Sequence, residues 1–289
     1  MNNGFYKSFE DIHRGSREFI SKRLEVYLPF ILPLKTLSDA PLCIDLGCGR
    51  GEWLELVTAH GFKAKGIDMD QNMLNDCKKL SLDVICSDAV SALDELEDNS
   101  VSIISAFHLI EHIEFEQLSK LVKSSLRVLK EGGLLILETP NPENIIVSTV
   151  DFYIDPTHSK PIPPMLLQFL VQHCGFEKNK LLRLNGAEFT DDNQLSLIDV
   201  LGGVSPNYAV IAQKSSSADI FELFHEPFSK EYGTTLYQLS SRYDEQFSKL
   251  TSHIIHVETR LNAQLEAIHN SKSWRYTAWF RKLSKLLKA

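Results

Sequence analysis

Short apolar runs alternate with helical repeats over the first two-thirds of the chain. Seven runs have the length of strands, and they lie at residues 42–46, 64–67, 84–86, 101–107, 134–138, 181–184 and 208–212. Apolar positions at helical spacing predict the longer helices between them, at residues 52–60, 72–79, 115–129 and 161–175. Because strands and helices alternate with short links, the pattern predicts an α/β fold with a doubly wound, mostly parallel seven-stranded sheet. Gly132 and Gly133 predict the end of the third of these helices.

The pattern is purely helical on both sides of this region. Residues 5–35 predict two helices, and Ser16 is expected to cap the second. From Phe228 to Ile268 the apolar positions are spaced by threes and fours, and no Pro or Gly occurs from Thr234 onward. This pattern predicts one long helix that forms an oligomerising coiled coil. The alternative is a helix packed against its own domain.

These patterns divide the chain into five segments. We expect a helical segment at 1–37 that caps the active site, a sheet domain at 38–214, a polar linker at 215–227 and a coiled coil at 228–270. In the last segment, 271–289, aromatic and leucine side chains recur at helical spacing with basic residues between them. We expect an amphipathic helix there that binds a membrane surface or a biosynthetic partner protein.

Charge is distributed unevenly along the chain. The net charge is −8, but residues 271–289 carry +6 and the remainder carries −14. An acidic body argues against nucleic acid as a partner, whereas a basic end favours an anionic membrane surface. The five cysteines have no disulfide spacing, and neither a membrane-spanning run nor a secretory signal is recognised. We therefore expect a cytoplasmic protein, peripheral on the inner face of the cytoplasmic membrane.

A glycine-rich loop after the first strand carries the clearest chemical signal. Gly47, Gly49 and Gly51 precede a helix, so the backbone can turn sharply and offer N–H groups to a ligand. The first three strands each end in an acid, namely Asp45, Asp68 and Asp88. Carboxyl ends of parallel strands are where such sheets bind ligands. A dinucleotide is the alternative ligand, but its loop is spaced G-x-G-x-x-G and Asp45 would repel its diphosphate.

These motifs resemble class I methyltransferases that depend on S-adenosylmethionine (SAM). The resemblance runs through residues 42–176 and includes the motifs at 44–52, 66–68, 87–89, 107–112 and 126–133. It implies a Rossmann-like domain with SAM as cofactor, with Asp68 on the ribose, Asp88 and Ala89 near the adenine and Asp45 near the methionine part. The expected SAM-binding residues are Asp45, Gly47, Cys48, Gly49, Gly51, Asp68, Met69, Asp88, Ala89 and Phe107.

A narrower resemblance concerns methyltransferases from bacterial surface-polysaccharide (O-antigen or capsule) gene clusters. The similar motifs lie at residues 5–18, 138–144 and 155–164, and residues 273–277 are similar to a tail on enzymes of those pathways. The resemblance implies an O-methyltransferase that acts on a sugar hydroxyl of a lipid-linked glycan and can end chain growth. The alternative is a SAM-fold scaffold that recruits polysaccharide-biosynthesis enzymes to the membrane.

Ionisable residues after the fourth strand are the candidates for activating a hydroxyl, which needs a base or a metal ion. They are His108, Glu111 and His112, and His158 follows in a later loop. The spacing His-x-x-Glu-His is also that of inverted zinc peptidases, but those need a long helix and a third, distant ligand. Related methyltransferases hold a divalent ion with Glu-x-x-Glu-His, so a metal stays open here. Equally, Glu111 and His112 could cap a helix, and His158 could be structural.

Further polar residues are candidates for contacting the acceptor. Asn141, Asn144 and Tyr153 could hydrogen-bond a sugar, and Arg14 and Arg17 could bind an anionic substrate. The alternatives are turn-forming asparagines and ordinary charges on a helix surface.

Overall fold

Seven strands with flanking helices make up the computed structural model, which describes residues 15–187, 189 and 194–286. The strands are β1 (Leu42–Leu46), β2 (Lys63–Asp68), β3 (Val84–Cys86), β4 (Val101–Phe107), β5 (Leu129–Pro140), β6 (Lys178–Leu184) and β7 (Asn207–Gln213). The main helices are α1 (Arg17–Leu24), α2 (Glu52–Ala59), α3 (Gln71–Lys79), α4 (Ala89–Asp94), α5 (Phe115–Val128), α6 (Pro164–Cys174), α7 (Leu236–Asn270) and α8 (Ala278–Leu286). Shorter helices are Leu28–Ile31, Ile145–Thr149, Leu197–Gly202, Ala218–Glu222, His225–Ser229 and Lys272–Tyr276, and 3-10 turns are Glu25–Tyr27, Leu32–Thr36, Ile110–His112 and Asp151–Ile154.

The strands form one sheet in the order β3-β2-β1-β4-β5-β7-β6, so the expected sheet is confirmed. β1 to β5 are parallel, and β7 is antiparallel to both of its neighbours. Every residue of β4 is buried, as expected for a central strand covered on both faces. The strand order reverses between β1 and β4, which places a ligand-binding crevice at their carboxyl ends.

Alternate side chains of the central strands fill two separate cores. Ile104 packs with α5 and α6 on one face, whereas Ile103 packs on the other face with α2 and the N-terminal helices. Ser16 caps α1 as predicted, because its side chain accepts a hydrogen bond from the N–H of Phe19. The first of the two predicted N-terminal helices lies outside the described residues.

The segment 215–227 differs from the predicted polar linker. It holds two short helices, and Phe224 is 1% exposed in the core that also contains Phe30. The rings of Phe228 and Tyr232 lie 5.5 and 5.8 Å from the ring of Phe30. These two aromatics predicted the start of the coiled coil, but they pack against the N-terminal helices instead. Apolar residues at helical spacing indicate that one face of a helix is buried, but they do not indicate which surface that face packs against.

The two glycines at 132 and 133 do not cap a helix, contrary to prediction. Helix α5 ends at Val128, and the chain passes directly into β5. A Cβ atom on Gly133 would lie 2.9 Å from the carbonyl oxygen of Lys130, so the glycine permits a tight backbone approach within the irregular start of β5.

The long helix α7 begins at Leu236, after a capping box formed by Thr235 and Gln238. Leu239 is fully buried against Val200 and Val204, which fixes the first turns of α7 to the sheet domain. Farther along, apolar side chains are at least half exposed, namely Phe247, Leu250, Ile254, Leu261, Leu265 and Ile268. The coiled coil therefore stays a prediction. Among the helices of the described residues, none has the length and apolarity to cross a membrane.

We predict that Phe224→Ala destabilises the sheet domain by about 3–5 kcal/mol, because it empties a buried aromatic site. Denaturant unfolding of the full chain measures the loss. Tyr237→Ala, at a side chain that is 80% exposed, is the control and should change stability by less than about 0.5 kcal/mol. A similarly small effect of Phe224→Ala would restore the interpretation of 215–227 as a linker.

Candidate active site

The glycine loop between β1 and α2 forms one wall of the site. Gly47 and Gly51 have φ values of +68° and +81°, which residues with a side chain rarely adopt. A Cβ atom on Gly51 would also lie 2.6 Å from Leu82 Cδ1. Gly49 and the buried Cys48 complete the turn. The loop therefore exposes backbone groups to a ligand at the carboxyl ends of β1 and β2.

Two acids are fixed at this loop by hydrogen bonds. The Asp45 side chain is 2% exposed and accepts a bond from Ser105 Oγ at 2.7 Å. The Asp68 carboxylate accepts the backbone N–H groups of Gly49 and Asp70, both at 2.8 Å. A carboxylate has about four acceptor positions, so Asp68 retains the capacity to bind ribose hydroxyls.

The predicted adenine residues lie farther along the same edge of the sheet. Asp88 is exposed, and its carboxylate caps α4 by accepting the N–H of Ser91 at 2.9 Å. Ala89 is partly exposed beside it, and Met69 is 74% exposed after β2. The cap alone explains an acid at position 88, so a contact between Asp88 and adenine stays a prediction.

A cavity of about 260 Å³ joins the glycine loop to the histidines. It lies at the carboxyl ends of the strands and is bounded on one side by α1. The predicted residues that line it are Asp45, Gly47, Cys48, Phe107, His108, His112 and His158. The ring of Phe107 is held in place by Tyr27 and Trp53, at centroid distances of 5.3 and 5.2 Å.

His108 lies between two buried carboxylates at the wall of this cavity. Its Nδ1 is 3.1 Å from Glu111 Oε1 and its Nε2 is 3.5 Å from Glu138 Oε1. Burial disfavours the charged ring, but the hydrogen bonds and charges of the two acids outweigh burial and raise the pKa of His108 to about 9. Burial likewise opposes ionisation of the acids, and the His108 cation nevertheless holds the pKa of each below its ordinary value.

The charge on His108 argues against one of its predicted roles. With a pKa raised to about 9, the ring is mostly protonated at neutral pH and is a poor proton acceptor, so we expect His108 to position Glu111 rather than to act as the general base. Its contacts instead fix Glu111, whose second oxygen accepts a bond from Thr139 Oγ1 at 2.9 Å. The Tyr27 hydroxyl donates to the second oxygen of Glu138.

His112 has the properties of a base. The Thr157 hydroxyl donates its proton to Asp155 Oδ1 at 2.6 Å, so it must accept the bond that joins it to His112 Nδ1 at 2.9 Å. Nδ1 of His112 is therefore protonated, and the lone pair lies on Nε2. Burial lowers the pKa of His112, which favours the neutral ring at physiological pH.

His158 packs against His112, with their ring centroids 4.7 Å apart. Its Nδ1 donates to the carbonyl oxygen of Phe152 at 2.6 Å, which places its lone pair on Nε2 as well. One ligand atom from each of Glu111, His112 and His158 lies within 4.8 Å of the others, so these three side chains could hold a metal ion. Metal-binding histidines usually donate their second N–H in this way.

The structure does not support two of the predicted acceptor contacts. The amides of Asn141 and Asn144 are buried and bind backbone groups around residues 202–205 and their own turns. Their donors and acceptors are used within the fold, so these asparagines brace the end of β5. Tyr153 is 61% exposed and lies outside the cavity lining; its contact with an acceptor stays a prediction.

The two predicted arginines have different outcomes. Arg17 donates to the carbonyl oxygen of Arg50 at 2.8 Å and pairs with Glu55, so it ties α1 to the glycine loop. It does not line the cavity, and an anionic substrate as its partner stays a prediction. Arg14 lies outside the described residues.

Several cavity residues were not predicted from the sequence. They are Ile20, Arg23, Leu24, Glu52, Trp53, Glu138, Asp155, Leu184, Asn185 and Asn207. Arg23 had a detectable signal, since it follows Ile20 by three positions and precedes Tyr27 by four, which places a charge within the apolar stripe of α1. Asn185 and Asn207 had none, because their proximity depends on how β6 and β7 join the sheet.

Comparison with known proteins shows what the chain as a whole is similar to. A family model described as a methyltransferase domain matches residues 44–137. A crystal structure of a SAM-dependent methyltransferase from Archaeoglobus fulgidus is 30% identical, with a TM-score of 0.64, over 73% of this chain and 100% of that one.

Two groups of curated relatives are also similar to the chain. A probable SAM-dependent methyltransferase of Mycobacterium tuberculosis is 27% identical over 54% of this chain and 54% of its own. A ubiquinone biosynthesis O-methyltransferase of Coxiella burnetii is 27% identical over 34% of this chain and 43% of its own. The chain thus spans about half the length, or less, of the curated relatives it matches.

We predict that Asp68→Asn weakens SAM binding about 10- to 100-fold, the amount expected when a hydrogen bond to a charged group is lost. Isothermal titration calorimetry with SAM measures the change. Asp39→Asn makes the same chemical change at an exposed position and should bind SAM as the wild type does. Equal affinities of the two variants would contradict the assignment of Asp68 to the cofactor.

Proposed function

Because this chain belongs to the class I SAM-dependent methyltransferases, we propose that it transfers the SAM methyl group to a hydroxyl oxygen. The observation that carries this proposal is the single cavity that contains Asp45 and Gly47 together with His112 and His158. The methionine part of SAM at Asp45 would direct its methyl group toward β4, the strand that precedes the histidines. The cofactor and the base would then meet within one cavity.

The reaction is an in-line displacement at the methyl carbon. A lone pair of the acceptor oxygen forms the new C–O bond as the C–S bond breaks, and the sulfonium sulfur keeps the electron pair to give S-adenosylhomocysteine. The hydroxyl proton passes to Nε2 of His112, whose other nitrogen is held by Thr157 and, through it, by Asp155. Much of the rate comes from holding oxygen, methyl and sulfur in line.

A divalent metal ion is a second candidate for activating the hydroxyl. The grouping of Glu111, His112 and His158 favours it, because these residues present three ligand atoms of the types that divalent ions accept. An ion bound there would lower the pKa of the acceptor hydroxyl. Glu111 already accepts bonds from His108 and Thr139, which orient its carboxylate for either function.

The acceptor that the sequence supports best is a sugar hydroxyl of a lipid-linked surface polysaccharide. The support is the resemblance of residues 138–144 and 155–164 to methyltransferases of those pathways. Asp155 and His158 of the second motif line the cavity. The backbone of this motif is held where the N–H of Ser159 donates to the carbonyl of Glu111 at 2.8 Å. A ubiquinone precursor is the second candidate acceptor, because relatives are named for that pathway.

The C-terminal helices support a position at a membrane surface. Trp279, Phe280 and Leu283 of α8 are about half exposed, and the Arg281 guanidinium lies 3.7 Å from the ring of Trp274. Aromatic side chains beside basic ones are typical of helices that lie in the interface of an anionic membrane. If a second copy of the chain packed on the exposed apolar side chains of α7, the two C-terminal segments would bind one membrane together. Their combined binding would be tighter than that of one segment alone. A partner protein is the other candidate for this tail.

We predict that His112→Ala lowers turnover about 100- to 10,000-fold, the range for loss of a general base, while SAM affinity is retained. Transfer of labelled methyl groups to candidate glycolipids measures turnover. His173→Ala removes an exposed histidine from α6 and is the matched control.

Three other outcomes of this experiment are informative. If His112→Ala retains turnover, then the base is elsewhere and His158→Ala is tested next. If the wild type loses activity after chelation and regains it with a divalent ion, then the metal mechanism replaces the base mechanism. If the wild type binds no SAM in the micromolar range, the proposed enzyme activity is wrong and the scaffold alternative is tested next.

We predict that deletion of residues 271–289 releases the protein from liposomes that contain anionic lipid. The six basic residues of this segment each contribute about 1 kcal/mol near an anionic surface. Co-sedimentation measures binding, and neutral liposomes are the control. Unchanged sedimentation of the truncated chain would exclude the membrane anchor.

A further inference from the structure

The cavity has a cationic side chain at the end opposite Asp45, an acid that is predicted to bind SAM. Arg23, near the end of α1, is partly buried and lines the cavity together with Leu184, Asn185 and Asn207. A guanidinium presents five N–H donors and no acceptor, so it recognises planar anions such as carboxylates and phosphates. The Phe19 ring lies 5.6 Å from Arg23 Cζ and covers one face of the guanidinium. This cation–π contact does not use the N–H donors at the edge of the group, so an anion can still bind there.

The Arg23 side chain is held in position by Asn207, the first residue of β7. When the Asn207 amide is oriented to satisfy its neighbours, its oxygen accepts bonds from Arg23 at 2.6 Å and from Asn185 Nδ2 at 3.1 Å, and its nitrogen donates to the Pro206 carbonyl. One guanidinium nitrogen is thereby anchored. Four of the five guanidinium N–H donors are not used by this bond, and Arg23 lines the cavity.

The acids near Arg23 are occupied by other partners. Glu138 accepts the Tyr27 hydroxyl and faces Nε2 of His108 at 3.5 Å. Among the residues that the structure describes, no carboxylate oxygen is within 4.0 Å of the Arg23 guanidinium. Burial raises the pKa of Glu138, and His108 lowers it the most. The charge of Arg23 also lowers this pKa, by a smaller amount. Within the described part of the chain, the Arg23 guanidinium therefore makes no direct, two-bond contact with a carboxylate of the kind that guanidinium groups form.

The strand order indicates which ligand can reach the guanidinium of Arg23. Asn207 begins β7, which is separated from β1 by β4 and β5. Three strand spacings of about 4.8 Å place β7 about 14 Å from β1. The acids predicted to bind SAM, Asp45 and Asp68, lie on the side of β1 and β2. With SAM bound there, the Arg23 end of the cavity would be left to the acceptor.

We infer that the methyl acceptor carries an anionic group, a carboxylate or a phosphate, that binds the guanidinium of Arg23. The inference rests on the proposed methyl transfer and deepens it, because it names the class of acceptor. A hexuronic acid residue or a sugar phosphate has the required chemistry, with a hydroxyl to be methylated and an anion several ångströms from it.

The test is a comparison of matched probes on the full chain saturated with S-adenosylhomocysteine. We expect methyl glucuronide and glucose 1-phosphate to bind at least about tenfold more tightly than methyl glucoside, and Arg23→Gln to abolish this preference. Arg23→Lys should retain part of it. Lys22→Gln, at an exposed neighbour in α1, should retain all of it. Thermal unfolding checks that each variant is folded.

The outcomes separate the inference from the function on which it rests. Equal affinity for charged and neutral probes, including no measurable affinity for any, would overturn the anionic acceptor. If Arg23→Gln weakens SAM binding instead, then the anion at Arg23 is the carboxylate of the cofactor and the inference is wrong. Methyl transfer by the wild type to any hydroxyl acceptor would still uphold the proposed function in both cases.

Discussion

Two buried carboxylates, Glu111 and Glu138, share the imidazolium of His108, and the shape of the site depends on this contact. Burial opposes ionisation of both acids, and the bonds from Thr139 and Tyr27 supply hydrogen-bond donors but no positive charge. His108 supplies the positive charge that favours their ionised forms. His108 has a φ of +54°, a conformation that histidine adopts more readily than most residues. The backbone after β4 thus takes an uncommon turn that the ionic contact stabilises.

This cluster connects parts of the chain that are distant in sequence. Tyr27 reaches Glu138 across 111 residues, and the hydroxyl is fully buried against the sheet. The Glu111 carboxylate in turn accepts a hydrogen bond from the Thr139 hydroxyl. The Glu111 backbone carbonyl accepts the N–H of Ser159 and so fixes the loop that carries Thr157 and His158. The N-terminal helices, the end of β5 and the histidine loop are therefore positioned together. A change in any of them would move His112 relative to the cofactor.

The sheet was predictable because its signals are local. Mostly apolar runs such as 101–107 mark buried parallel strands, and the boundaries of β1, β3 and β4 agree with prediction. The glycine loop was equally predictable, since turn, acid and helix follow one another directly. Prediction failed where a residue's partner lies far along the chain. The sequence around Asn141 and Asn144 does not reveal that backbone carbonyls of residues 202–205 bind both amides.

The same reasoning explains why the acceptor side was harder to predict than the cofactor side. The predicted cofactor residues lie at the ends of β1, β2 and β4 or in the segments that directly follow β1, β2 and β3. The acceptor side combines α1, the turn after β4, the end of β5 and the antiparallel strand β7. Because β7 runs against its neighbours, its first residue, Asn207, pairs with Pro140 at the carboxyl end of β5. The parallel strands contribute their carboxyl ends to the site, whereas the antiparallel strand β7 contributes its first residue. This arrangement places Asn207 next to Arg23.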